Sequence, residues 1–368
     1  MRSAILLFIF FLSTQLNAQH NHDRRIQFPD IPGYYTLKCD FHQHTVFSDG
    51  SVWPDIRVQE AIKDGLDAIS ITDHIEYQPH IDDIPHTDRN RSYQVTKEAA
   101  EGKNLIVING SEITRDMPPG HSNAIFLKDA NKLLVDDSVE VFREAKKQDA
   151  FIFWNHPNWT AQVPSGIASL TETHKKLLKE GLLNGIEVVN DVSYSDEALQ
   201  IALDYNLTIM GTSDIHGLID WQYHVPNGGH RPVTLVFAKE KSEEGIKEGL
   251  LNRRTVVWFN NLLIGRPEYL IPLVEQSVSV ATAGYKGETT LLAVTIENKS
   301  DVDFIIENTS KYTLHRNADV FTAKANDFTR LEIKTIDKLE EVELSFKVLN
   351  AVVAPKKHPE ISIKVEIK

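Results

Sequence analysis

The sequence holds a single cysteine in 368 residues, Cys39. A lone thiol excludes an intramolecular disulfide and a thiolate metal cluster, and its place in the strand-like run Tyr35–Phe41 reads as a small buried core residue. Long hydrophobic runs are just as scarce. The one that stands out, Ala4 to Leu12, follows the basic Arg2 and precedes a polar stretch ending Leu16-Asn17-Ala18-Gln19. It is shorter than the roughly 20 apolar residues that span a bilayer, and its order of charge, apolar run and small residue is that of a secretory signal. We read residues 1–18 as a signal peptide cleaved after Ala18, an uncleaved anchor being the competing reading. The mature chain is then expected to be periplasmic or secreted, with no transmembrane anchor. Basic residues are in deficit too: 39 Lys and Arg face 52 Asp and Glu, a net charge of −13, and almost all of the excess falls before residue 275. A surface so acidic argues against strong general binding to nucleic acid, which needs clustered Lys and Arg. Internal repeats and low-complexity tracts are absent. The oligomeric state is not legible.

What the chain does have is histidine beside carboxylate. In Asp40-Phe41-His42-Gln43-His44-Thr45-Val46-Phe47-Ser48-Asp49-Gly50, two imidazoles two residues apart share one face of an extended strand, so His42 and His44 can reach one cation together. The turn that follows offers Asp49 as a further oxygen ligand, with Gly50 permitting tight backbone. An isolated His-x-His is as readily a pair of exposed polar residues, but the arrangement recurs. Thr72-Asp73-His74, Gly110-Ser111-Glu112, Gly120-His121-Ser122, Asn155-His156-Pro157 and Ser213-Asp214-Ile215-His216 lie downstream, most of them after short apolar runs such as Ala68–Ile71, Leu105–Ile108, Phe151–Trp154 and Leu207–Met210. Such runs read as buried parallel strands. Ligands at their C-terminal ends would converge on one mouth of an α/β barrel.

That ordered set, from about residue 36 to 217, resembles the PHP (polymerase and histidinol phosphatase) family of metal-dependent phosphoesterases. The resemblance implies a distorted (β/α)7 barrel holding two or three divalent ions, with Zn, Mn or Fe suited to His and carboxylate ligands. By similarity to the family motifs, His42, His44, Glu112 and Asp214 would hold one ion, and Glu112 would bridge to a second held by His121 and His156. Asp49, His74 and His216 would hold a third. Many members carry a His directly after the position of Asp49, where this chain has Gly50. The resemblance further implies attack on phosphorus by a metal-bridging hydroxide, with Glu112 at the bridge and, when the third site is empty, His216 or His74 acting near the leaving group. Asp73 is expected as an acceptor that orients His74 or another ligand. Arg115 and Arg231 are candidates to fork onto the substrate phosphate, or to make surface salt bridges.

The remainder divides in two. Between the strands, Val58–Asp64, Val139–Gln148, Glu172–Lys179, Ser195–Tyr205 and Glu243–Asn252 read as helices, giving a βαβ rhythm, and Asp137-Ser138 is a credible cap. Pro79 to Tyr93 breaks the rhythm and is expected as a loop over the mouth, with His80 and His86 facing solvent. From about residue 275, period-2 segments such as Leu291–Glu297, Val342–Val348 and Ile361–Ile367 suggest an immunoglobulin-like sandwich. The expected domains are 19–270 for the barrel and 275–368 for the sandwich. Because the sandwich carries no ligand constellation, a chain ending near residue 270 is expected to keep metals and catalysis if it remains soluble.

Three function classes follow: an exported phosphate-ester hydrolase acting on a small phosphorylated substrate, monoester or diester; a metal-dependent amidohydrolase-like enzyme acting on carbon esters or amides; and a non-catalytic metal or ligand binder. Retention of all nine candidate ligands favours the first.

Overall fold

A computed structural model describes residues 25–367, and the expected signal peptide lies outside them. The apolar runs become strands, in the order β1 (Tyr35–Asp40), α1 (Pro54–Asp64), β2 (Ala68–Ile71), α2 (Arg91–Ala99), β3 (Ile106–Ile113), β4 (Ser122–Ile125), α3 (Glu140–Lys147), β5 (Phe151–Trp154), α4 (Glu172–Lys179), β6 (Gly185–Asn190), β7 (Ser193–Tyr194), α5 (Asp196–Asp204), β8 (Thr208–Thr212), α6 (Ile219–Gln222), β9 (Val233–Ala238), α7 (Glu243–Leu251), β10 (Thr255–Phe259), β11 (Leu262–Gly265) and α8 (Pro267–Ser277). Every residue of β2, β4, β5, β6, β8, β9 and β10 is buried, which is why strands such as β2, β5 and β9 are mostly apolar rather than alternating.

The sheet runs β11-β10-β9-β1-β2-β3-β4-β5-β6, with β8 beyond β6. β1, β2 and β3 are parallel, as are β5, β6 and β8. β4 runs antiparallel between β3 and β5, because the short segment between β3 and β4 cannot house a crossover helix. β9 is antiparallel to β1. These reversals are the distortion of the expected barrel. On the β8 side, closure comes from threonine hydroxyls: Thr234 Oγ1 accepts from Gly211 N (3.0 Å) and donates to Gly211 O (2.8 Å), and Thr255 Oγ1 donates to Ile209 O (2.8 Å). Gly211 is required there, since a Cβ would lie 2.2 Å from Val257 Cγ1.

Helix starts explain most differences from the sequence reading. α1 begins at Pro54, not Val58, because proline suits the first helical turn, and it stops at Gly65 in the left-handed conformation. Asp137 caps α3, its Oδ1 accepting from Val139 N and Glu140 N at 2.8 Å. The expected loop 79–93 ends early in α2, and α8 was not anticipated.

The C-terminal module comprises β12 (Val278–Tyr285), β13 (Leu291–Asn298), β14 (Phe304–Asn308), β15 (Thr313–Leu314), β16 (Val320–Ala323), β17 (Phe328–Lys334), β18 (Glu341–Val348), β19 (Ala351–Val352) and β20 (Glu360–Glu366). Two four-stranded sheets, β12-β13-β17-β15 and β16-β14-β18-β20, face each other, and alternate residues of β13 and β18 are buried. The module is not an independent appendage. β19 leaves the sandwich and pairs in parallel with β11 of the barrel sheet, Leu263 opposite Ala351. Asn350 Nδ2 donates to Asn261 O (2.6 Å) and Asp303 O (2.9 Å). Leu263, Leu270, Leu273 and Val274 share one buried cluster with Leu292, Phe346 and Ile361. Among the described residues no helix is long and apolar enough to cross a membrane.

Candidate metal centre

The ligand candidates meet at the C-terminal ends of the parallel strands. His42 and His44 follow β1, and their Nε2 atoms face one another at 3.1 Å. Asp214, after β8, places Oδ1 3.1 Å from both. Glu112, inside β3, brings Oε2 within 3.4 Å of the same two nitrogens and 2.9 Å of His74 Nδ1. Its Oε1 lies 3.1 Å from His121 Nδ1 and 3.4 Å from His156 Nε2. Toward solvent, Asp49 approaches His216 Nε2 at 3.2 Å and His74 Nε2 at 3.4 Å, and the His44 and His216 rings stack at 4.2 Å.

Eight of the nine candidates fall in three compact groups whose ligand atoms lie within 4.8 Å of one another: His42, His44 and Asp214; His74, Glu112 and His121; and His44, Asp49, His74 and His216. His156 stands beside them, its Nε2 3.4 Å from Glu112 Oε1. The partition differs slightly from the expected one. His74 stands with Glu112 and His121 where His156 was expected, and His44 joins the outer group.

This donor set fits divalent cations. His42 Nε2, His44 Nε2 and Asp214 Oδ1 form a triangle about 3.1 Å on a side, small enough for one cation to reach all three. Glu112 Oε2 is buried without a hydrogen bond, a costly condition that an ion would relieve. The backbone supports it under strain: His156 has φ 28° and Asp214 φ 49°, left-handed values uncommon outside glycine and concentrated at functional sites. Gly50 matters through close approach, since a Cβ there would stand 2.6 Å from His44 C and Thr45 N.

Residues behind the ligands hold them in place. Glu187, on β6, accepts from His42 Nδ1 (2.8 Å), Thr212 Oγ1 (2.6 Å), His156 N (2.7 Å) and Asn190 Nδ2 (2.9 Å). A carboxylate can only accept, so the His42 proton sits on Nδ1 and Nε2 is free to ligate. Asn155 Nδ2 donates to Glu112 Oε1 at 2.8 Å. Sequence reasoning passed over both residues, although a glutamate inside the apolar run Gly185–Asn190 was an available signal. Asp73 is an acceptor as expected, but it serves the turn rather than His74: Thr45 N, Thr45 Oγ1 and Ser48 Oγ each donate to it at 2.7 Å. Glu187→Ala should weaken metal binding by about 10–100-fold and leave the fold in place; competition titration against a chromophoric chelator measures it.

Two expectations about phosphate contacts are corrected. Arg231 is fully buried, paired with Asp40 (3.1 Å) and Asp64 (2.7 Å), so its charge is spent inside the barrel. Arg115 donates to Val135 O (2.5 Å) and pairs with Glu76 (3.0 Å), and is not among the residues lining the cleft. His80 and His86, expected to face solvent, are half-buried; His86 Nδ1 meets Ile84 O and its ring packs edge-on against Phe47.

The electrostatics are those of acids and imidazoles forced together. Burial opposes charge on His42, yet Asp214, Glu187 and Glu112 outweigh it and raise its pKa. His74 is likewise buried but driven up to about 10 by Glu112 and Asp49, and His156 and His216 are raised by the carboxylates beside them. His44 goes the other way, lowered to about 4 by burial and by His74. Glu112 and Asp214, despite burial, are held below the usual carboxylate range by the imidazoles. Protons therefore occupy the metal-free cluster at neutral pH. Divalent cations must displace them, so uptake should release protons and apparent affinity should climb as pH rises from about 6.5 toward about 10. The same raised values stabilise the metal-free fold below the ordinary histidine pKa, and that contribution is lost as pH rises through the folded values. Titrating metal into weakly buffered protein with a pH indicator reads the release directly.

The cluster floors a cleft of about 430 Å³ whose walls include Asn158, Trp159, Asp191, Val192, Ser193 and Gln222. Trp159 flanks the His121 and His156 rings at 5.6 and 5.1 Å.

An Ig-like domain family model matches residues 278–364, the span of the C-terminal sandwich. No curated protein matches the chain at a significant level. Among solved structures, the chain is similar to a two-domain protein containing a predicted PHP-like metal-dependent phosphoesterase from Bacteroides vulgatus ATCC 8482, at 45% identity over 93% of this chain and 98% of that one, TM-score 0.86. More remote are PsfC from Pseudomonas syringae PB-5123 (17% identity, 61% and 92% coverage, TM-score 0.41) and an amidohydrolase from Chromobacterium violaceum (15% identity, 49% and 87% coverage, TM-score 0.34), and neither carries weight at that distance. The 45% identity to the Bacteroides protein across both domains, added to the ligand cluster at the barrel mouth, makes this chain a two-domain member of the PHP-like metal-dependent phosphoesterase family.

Proposed function

We propose that the chain is an exported hydrolase of phosphate esters that works with two or three divalent ions (Zn, Mn or Fe) on a small phosphorylated substrate. The observation that carries the reading is Glu112: one carboxylate standing between the His42, His44 and Asp214 group and the His121 and His156 pair, at the floor of an open cleft. Divalent ions held there supply Lewis acidity toward phosphoryl oxygens and lower the pKa of water. The described Arg115 and Arg231 are engaged elsewhere, so recognition of the phosphate rests on the cluster itself.

The protein's own groups have distinct tasks. Glu187 and Asn155 fix the inner ligands, and the charge they hold in place is preorganised before substrate arrives. His216, with 41% of its side chain exposed and Nδ1 held on Asp214 O at 2.8 Å, stands at the solvent edge, where its Nε2 is suited to pass a proton to the leaving alkoxide when the outer group holds no ion. His74 lies deeper in, between Glu112 and Asp49, and would join His216 and Asp49 as a ligand when the outer group holds an ion. Trp159 and Val192 offer an apolar face to the organic arm, and Asn158, Ser193 and Gln222 offer hydrogen bonds. Export is supported by the signal-like order of residues 1–18, and the phosphoesterase named in the Bacteroides relative supports the reaction class.

The test is a substrate panel of phosphomonoesters, phosphodiesters, carboxylic esters and amides, run on metal-loaded protein before and after a chelator. Turnover of a phosphate ester that stops on chelation and returns with metal is expected. Turnover confined to carbon esters or amides would move the chain to the amidohydrolase-like reading, and none at all would favour a binder.

A further inference from the structure

Behind the metal cluster, α1 sends one arginine into the wall that carries the outer ligands. Arg57 is fully buried, and each of its five N–H donors has a partner. Nε donates to His44 O (3.0 Å), Nη1 to Gly217 O (2.8 Å) and Glu60 Oε2 (2.8 Å), and Nη2 to Ile215 O (3.1 Å) and His216 O (3.1 Å). Glu60 completes the frame, its Oε1 accepting from Ile219 N at 2.8 Å. Four of the five bonds therefore end on main-chain carbonyls of two loops remote in sequence. Two of those carbonyls belong to ligand candidates, His44 and His216, whose rings stack at 4.2 Å on the other side of the backbone.

We infer that Arg57 is a positioning residue for the outer metal group of His44, Asp49, His74 and His216, clamping the loop after β1 to the loop after β8 so that His44 and His216 share one ion. It touches no ligand atom and acts only through the carbonyls. Of the inner ligands, His44 and Asp214 lie on the clamped loops, but Glu112 and His42 are held independently of it: Glu112 is carried by β3 and oriented by Asn155, and His42 is oriented by Glu187. Its removal should therefore discriminate between ions, which a general loss of stability would not do. The planar fork is what the site uses. A lysine ammonium keeps the charge opposite Glu60 but cannot reach four carbonyls in fixed directions.

The inference rests on the metal-binding reading of the cleft and not on the choice of substrate, so metal counting tests it whether or not phosphate esters are turned over. Arg57→Lys is compared with the wild-type chain by elemental analysis, by zinc and manganese titration, and by melting temperature. The expected result is a folded variant that keeps its Glu112-centred ions and loses the outermost one, or binds it about 10–100-fold more weakly, with any activity falling through kcat more than KM. Because a buried Glu60 left without its partner is costly, Arg57→Met combined with Glu60→Gln is measured in parallel and should show the same selective loss. Full metal content in either folded variant overturns the inference, as does uniform loss of every ion. Failure of both to fold overturns it too, by making the pair a folding determinant, and so does a wild-type chain that holds no ion in the outer group.

Discussion

Glu112→Gln should abolish metal-dependent turnover, lowering it on the order of a thousandfold, the rate equivalent of several kcal/mol, while leaving the fold intact. The carboxylate is the one group that meets His42, His44 and His74 on one oxygen and His121 and His156 on the other. An amide replaces one oxygen by NH2, which cannot ligate and removes the negative charge that holds the surrounding imidazoles in register. Both ions beside it should weaken at once. The pattern distinguishes this substitution from damage to a single site, such as loss of His121. Circular dichroism and elemental analysis on the variant check it: unchanged secondary structure with metal content well below wild type is expected, and two retained ions with wild-type turnover would remove Glu112 from its central place.

Ending the chain at residue 270 should destroy the barrel, the opposite of what a detachable sandwich would allow. That cut falls inside α8, whose Leu270, Leu273 and Val274 are fully buried against sandwich residues. It also removes β19 from the edge of β11 and strips Asn261 of its bonds to Asp303 and Asn350. Burying one large aliphatic side chain is worth about 1.5–3 kcal/mol, so exposing several matches the whole stability of a domain, about 5–15 kcal/mol. The truncated chain is expected in inclusion bodies or as aggregates binding hydrophobic dye. A soluble, cooperatively melting fragment with full metal content would show that the shared core is dispensable.

That second case shows where sequence stopped being legible. Strands buried on both faces announced themselves as apolar runs, and ligands at their ends could be ordered because the His-x-His, Thr-Asp-His and Asp-x-His segments each carry their geometry locally. What could not be read were contacts whose partners lie far apart in the chain. Nothing local says that Asn350 belongs with Asn261, or that the two-residue strand Ala351–Val352 leaves one sheet for another. The same limit governed the arginines. Arg231 and Arg115 stood near ligand segments in sequence, yet Asp40 and Asp64 capture the first and Glu76 the second. Arg57 stood just ahead of the helix expected over Val58–Asp64, with nothing local to mark it, and only the fold brings His44, Ile215, His216 and Gly217 to its guanidinium. Glu187 is different, because a charge within a fully buried strand was visible and its meaning follows from the cost of burying it unpaired.

The central claim is that these nine side chains form a metal centre. The most direct measurement is elemental analysis of the purified full-length protein after loading with Zn or Mn and removal of free ions, paired with His42→Ala as control. The account predicts two or three equivalents per chain in the wild type and a clear deficit in the variant. A wild-type chain that retains no stoichiometric metal under loading, or a variant that retains as much as wild type, would contradict it.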